Sequence, residues 1–141
     1  MTTYTPLLKL ALPVQGALDG TWGDTVNNNI TSMVDEAVAG RAVINSWTAN
    51  AHTLTSANGT TAESRAAILE LTDTNSQLSG NATVTCPALS KLYVIRNTVG
   101  SNRSVTVKTA AGTGIVVPNG TTTILFCDGT NWYGTFYNAD A

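Results

Sequence analysis

The chain is short of charge. Only 11% of its 141 residues are Asp, Glu, Lys or Arg, against roughly a quarter in ordinary soluble proteins. With seven basic residues, nine acidic ones and a net charge of −2, it offers no basic face for phosphates, so nucleic acid is not an expected partner. Long apolar runs are missing too. Nothing approaches the ~20 residues that a helix needs to span a bilayer, and no membrane partner is expected. The N-terminus carries a short apolar patch without a basic lead, which does not read as a signal peptide. Two cysteines, Cys86 and Cys127, make neither a disulfide framework nor a CxxC metal pair. Each sits among apolar strand residues and reads as an inert buried thiol, with a bridge open if their strands are neighbours.

The chemical inventory is equally thin. His52 is the one histidine, and no cysteine or paired acid near it suggests a metal site or a Ser-His-Asp triad. Asp35 and Glu36 are adjacent on a helix and point apart. Glu63, Glu70 and Asp73 are close in sequence, but a solvated face is a simpler reading than a facing pair of catalytic carboxylates. Gly16, Gly20 and Gly23 are followed by no Lys-Ser/Thr and form no GxGxxG pattern, so they read as bends rather than a phosphate cradle. The expectation is a non-enzymatic protein without cofactor or metal.

What is present is Thr, Asn, Ser and Gly. A neutral polar surface suits a protein packed against copies or partners, because interface cores are depleted in charge. Five Asn-x-Ser/Thr sites arise by chance in such a composition and are read as unglycosylated.

Residues 1–23 read as an extended docking arm. Pro6 and Pro13 oppose helix, yet the arm keeps Leu7, Leu8, Leu10, Leu12, Val14 and Leu18, too many apolar residues for a solvated tail. Residues 24–40 read as one helix, with Asp24 as N-cap and Gly40 as a left-handed C-cap. Val26, Ile30, Met33 and Ala37 are spaced four, three, four, and Val34 and Val38 widen the stripe. The asparagines and β-branched residues are weak helix formers, so tertiary or intersubunit support is expected. The expected partner interface is Leu8, Leu10, Leu12, Leu18, Trp22, Val26, Ile30 and Met33.

From residue 41 to 141 the pattern is β. Short alternating runs occur in AVINSW, AHTLT, ATVTCPA, KLYVIRNTV, SVTVKTA, GIVVPNG, TTTILFCDG and NWYGTFY, while AAILELTD fits a strand or a helix end. The Asp128-Gly129-Thr130-Asn131 turn is a strong hairpin signal. Six to eight strands at this spacing predict an antiparallel, jelly-roll-like β-sandwich. Trp132 and Tyr133 lie beside the hairpin turn, where aromatics can stack on sugars, although core or interface packing is the commoner use.

Two segments resemble phage virion proteins. TPLLKLALPVQGALDGTWGDTVNNNITSMVDEAVAG is similar to the N-terminal segment of tail fibres of cyanophages and other aquatic phages. ESRAAILELTDTNSQLSGNATVTCPALSKLYVIRN and VTVKTAAGTGIVVPNGTTTILFCDGTNWY resemble the small β-domain that recurs in such fibres and spikes. A chain ending at FYNADA, with no shaft or tip beyond this domain, has the plan of a capsid decoration, or cement, protein. The resemblance implies a homotrimer on the outer surface of the capsid, its arm and helix meeting the major capsid protein or neighbouring subunits. The alternative it implies is a short tail-fibre or tailspike protein located at the tail and engaging host-surface glycans.

Overall fold

The computed structural model describes residues 2–134. Strands β1 (Thr3–Tyr4) and β2 (Ala11–Leu12) pair antiparallel. A series of turns leads to α1 (Trp22–Val26), a π-helical turn (Asn27–Thr31) and α2 (Ser32–Ala39). Nine further strands follow: β3 (Arg41–Ile44), β4 (Ala51–Thr53), β5 (Ile68–Thr72), β6 (Ala82–Cys86), β7 (Ser90–Thr98), β8 (Val105–Thr109), β9 (Ile115–Val117), β10 (Thr122–Asp128) and β11 (Trp132–Tyr133). A 3-10 turn at Glu63–Arg65 precedes β5.

The chain is mainly β, as its alternation predicts. The expected antiparallel, jelly-roll-like arrangement is corrected. Sheet order is β11-β10-β7-β5-β3 in one sheet and β4-β6-β8-β9 in the other. The pairs β3/β5, β5/β7, β4/β6 and β6/β8 are all parallel. From β3 to β8 the chain passes from one sheet to the other and back, winding a coil of three parallel turns. It then reverses through antiparallel β9 and β10. Alternation in sequence marks strands but does not say whether a partner runs with or against them.

Register stacks like residues between turns. Ala42, Leu69 and Ile95 align across one sheet, and Ala82, Val105 and Val117 across the other. With Ile44, Leu71, Val84 and Val107 they form one core shared by both sheets. Asn97 is fully buried within it, but its amide donates to the Val117 and Arg103 carbonyls and accepts from the Val99 amide. It therefore pins the turn after β7 without leaving a polar group unmatched. The predicted Asp128 turn joins β10 to β11, its carboxylate accepting from the Thr130 and Asn131 amides. Those bonds hold the Asp128 carboxyl below its ordinary range. The rest of the NWYGTFY run lies outside the described residues.

The helix departs from its expected bounds at both ends. It starts at Trp22 after Thr21, which makes no side-chain capping bond, and Asp24 lies inside the first turn. Gly40 is extended rather than left-handed, with φ −67° and ψ 143°. Its amide donates to the Glu36 carbonyl at 2.8 Å, while its own carbonyl accepts from the Ala67 and Ile68 amides at 3.0 Å each. A Cβ at this position would collide with the Glu36 carbonyl. Glycine is needed here for close approach, because helix passes into strand within one residue. Gly40→Ala is expected to cost about 1–3 kcal/mol, the usual range for overpacking a tight contact, as read from the denaturant midpoint at unchanged m-value.

Candidate interaction surfaces

The arm does not trail free. It is clasped to its own body by one buried side chain, Arg65, which is 3% exposed. The 3-10 turn aims its guanidinium at three separate segments. Nε donates to the Leu8 carbonyl of the arm at 2.7 Å, and Nη2 to the Ala57 carbonyl at 2.6 Å. Nη1 donates to the Thr60 carbonyl and lies 3.0 Å from Met33 Sδ on α2. The Glu36 carboxylate stands 3.7 Å from Nη1 and accepts from the Ala62 amide. A charge this deep is tolerable because all sides of its planar fork meet acceptors or a carboxylate.

Gly59 closes the same clasp. Its amide donates to the Lys9 carbonyl at 2.7 Å and its carbonyl accepts from the Asn29 side chain at 2.6 Å. Its φ of +63°, and the Tyr4 ring 2.9 Å from where a Cβ would stand, both favour glycine. Loop, arm and helix thus meet through backbone groups that the sequence pattern does not mark. Arg65 was the missed residue; its signal was an arginine directly before the apolar run AAIL.

The expected interface residues divide. Met33 is buried at 5% and belongs to the clasp. Leu8, Leu10, Leu18, Val26 and Ile30 are half-buried. Leu12 and Trp22 are exposed, Trp22 to 63%. The four-three stripe is interrupted by the π turn, where the Ser32 amide and hydroxyl both reach back five residues to the Asn27 carbonyl. One extra residue rotates α2 by about 100° relative to α1. Only Met33 is buried along the whole helix; Val34 and Val38 face solvent.

A second surface lies on the outer face of the larger sheet. Leu92, Phe126 and Tyr133 align in one row, and Arg41, Ile68, Val94 and Ile124 in another. Leu92 is 60% and Ile124 63% exposed, and Phe126 stacks on Tyr133 at 5.4 Å. Between these rows runs a charged one, in which Glu70 pairs with Arg41 at 2.7 Å and lies 3.8 Å from Arg96. The Arg41 hydrogen bond holds the Glu70 carboxyl below its ordinary range. The sequence did carry this signal: LYVI and ILFC are apolar at consecutive positions, hence on both faces of a strand.

Trp132 is corrected as a glycan contact. It is 2% exposed and stacks on Tyr93 at 5.5 Å inside the core. Tyr133 is outward. His52 cannot serve as a free base, because Nδ1 faces the Ser46 carbonyl at 2.8 Å and Nε2 the Glu63 carboxylate at 2.9 Å. No metal-ligand cluster occurs among the described residues. Cys86 and Cys127 are free and buried.

No family model, curated protein or solved structure matches this chain.

Burial pushes the Cys86 thiol and the Tyr93 phenol well above their ordinary values of 9.0 and 10.0. It lowers the Lys91 ammonium, which sits 4.3 Å over the Tyr93 ring, to about 8. The signs differ. Unfolded Cys86 and Tyr93 release protons above pH 9 and 10 that the folded groups keep, so their contribution to stability is lost as pH rises. Lys91 acts oppositely between about pH 8 and 10.5, where the unfolded chain holds the extra proton. Stability is therefore expected to fall above pH 10.5, less steeply in Cys86→Ala, while Lys91→Met removes the opposing rise; urea titrations across pH 7–11 read both.

Arg65→Met strips the donor from three carbonyls and leaves Glu36 unpaired. A loss of about 3–5 kcal/mol is expected. Arg65→Lys should restore only part of it, since a point charge cannot span the same acceptors. Hydrogen exchange at the Gly59 and Ala62 amides should rise together in both variants.

Proposed function

We propose that the protein is a non-enzymatic phage virion component, a homotrimeric capsid cement (decoration) protein whose arm and helix engage neighbouring subunits and the major capsid protein. One observation carries this reading: the helix from Trp22 to Ala39 buries a single residue against its own body. A helix this short, rich in Asn, Thr and Val, is marginal alone in water. Trp22, Val34 and Val38 give it an apolar surface for a partner. The low charge of the chain and the apolar sheet face support the same conclusion. Many weak contacts repeated around a threefold gain by avidity what each lacks in strength, which suits bridging between capsomers.

The stacked, half-exposed Phe126–Tyr133 pair favours a second reading, a short tail-fibre or tailspike protein that stacks host glycans on this platform. Location separates the two. Under the cement reading, light scattering of the purified protein gives the mass of three chains and particle imaging finds density at many sites over the shell. Density confined to the tail vertex would transfer the assignment to the second reading, and a monomer absent from particles would overturn both. Deleting residues 1–23 is a poor substitute for these measurements, because it removes the Leu8 carbonyl from Arg65 and loosens the body itself.

A further inference from the structure

The helix and the sheet face carry opposite charge. Between Leu10 and Gly40 there is no lysine or arginine, and the ionisable residues are Asp19, Asp24, Asp35 and Glu36. Glu36 is committed to the clasp. The other three are exposed, and none is in an ion pair among the described residues. The outer sheet face holds Arg41 and Arg96 around one glutamate, and both guanidinium groups are more than half exposed. Its apolar residues stay exposed in the presence of the chain's own helix, so that helix does not cover them.

We infer that copies of this chain associate head to tail: the acidic, unpartnered helix of one copy lies on the basic, apolar outer sheet face of the next. The occupant follows from charge. Helix against helix would gather acidic segments that contain no cation, lacking the flanking ion pairs that usually set a helix bundle. Sheet against sheet would set arginines against arginines. Only the mixed contact places Asp residues near Arg41 and Arg96 while Trp22 and Val38 meet Leu92, Ile124 and Phe126. A contact of two different patches is heterologous, and it closes into a ring when the rotation permits. The inference deepens the trimer reading above and rests on it.

Two double variants test it. Ile124→Glu/Phe126→Glu spoils the sheet face and keeps the helix; Trp22→Glu/Val38→Glu does the reverse. All four positions are exposed, so both chains should melt cooperatively near the wild-type temperature. Each variant alone is expected to be a monomer by light scattering, and an equimolar mixture to give a one-to-one pair, joined by the surface each retains. A sheet-face variant that remains a trimer, or a mixture that gives no pair, would overturn head-to-tail association while leaving the wild-type trimer intact. A wild-type monomer would instead remove the trimer reading itself. If either double variant fails to melt cooperatively, Arg96→Glu and Asp35→Lys replace them: each alone should dissociate, and mixing should recover association. No recovery on mixing would overturn the inference.

Discussion

The structure outside the two-sheet core depends on one buried cation. Arg65 joins segments that share no strand pairing: the arm through Leu8, the helix through Met33 and Glu36, and the loop through Ala57 and Thr60. None of these elements could be held by apolar burial alone. The arm contributes one well-buried residue, Ala11, and the helix one, Met33. Directional bonds from a rigid fork fix their positions where the hydrophobic effect, which has no direction, would leave them loose. The desolvation of Arg65 is offset because its acceptors are mostly backbone carbonyls that would otherwise themselves be buried without donors. The clasp therefore sets the pose of the helix, and with it the surface that the helix presents.

The coil sets the other surface. Parallel turns stack each strand beside the equivalent strand of the next turn, so similar residues repeat at the same register on both faces. Inside, this yields the Leu69–Ile95 and Val105–Val117 stacks. Outside, it aligns Ile68, Val94 and Ile124 as efficiently. Antiparallel β10 and β11 then close one edge of the sheet and add Phe126 and Tyr133 to the outer face. An apolar stripe on a sheet of this kind is a property of the register, and it would vanish if β10 slipped by a single residue, because every side chain would change face.

What could be read from the residues was local. Alternation placed most of the strands within a residue or two, and Asp128-Gly129 placed the hairpin. Pairing direction was not legible, because a strand with one buried face looks the same beside a parallel or an antiparallel neighbour. The start of the helix was misplaced because Asp24 has the chemistry of a cap, whereas the actual boundary at Thr21 makes no side-chain bond that a pattern could reveal. The π turn was hidden for a similar reason: it hangs on Ser32 reaching Asn27, in a stretch of near-identical polar residues. Trp132 looked like a loop-tip aromatic because it adjoins a turn, but alternation from Tyr133 inward already put it on the core side of β11.

The scarcity of charge now has a more specific sense. Sixteen ionisable acidic and basic residues are too few to cover a surface of 7810 Å² evenly, so their placement decides what the molecule can meet. Several are spent internally, on Arg65–Glu36, Arg103–Asp73 and His52–Glu63. Those left on the helix are acidic, and the outer sheet face keeps two arginines for one glutamate. A chain that used salt bridges mainly for solubility would mix signs along each element. Here sign is segregated by element, and each segregated set borders exposed apolar residues. Hydrophobic burial supplies the attraction between such surfaces, and the charges can then determine which surface is chosen.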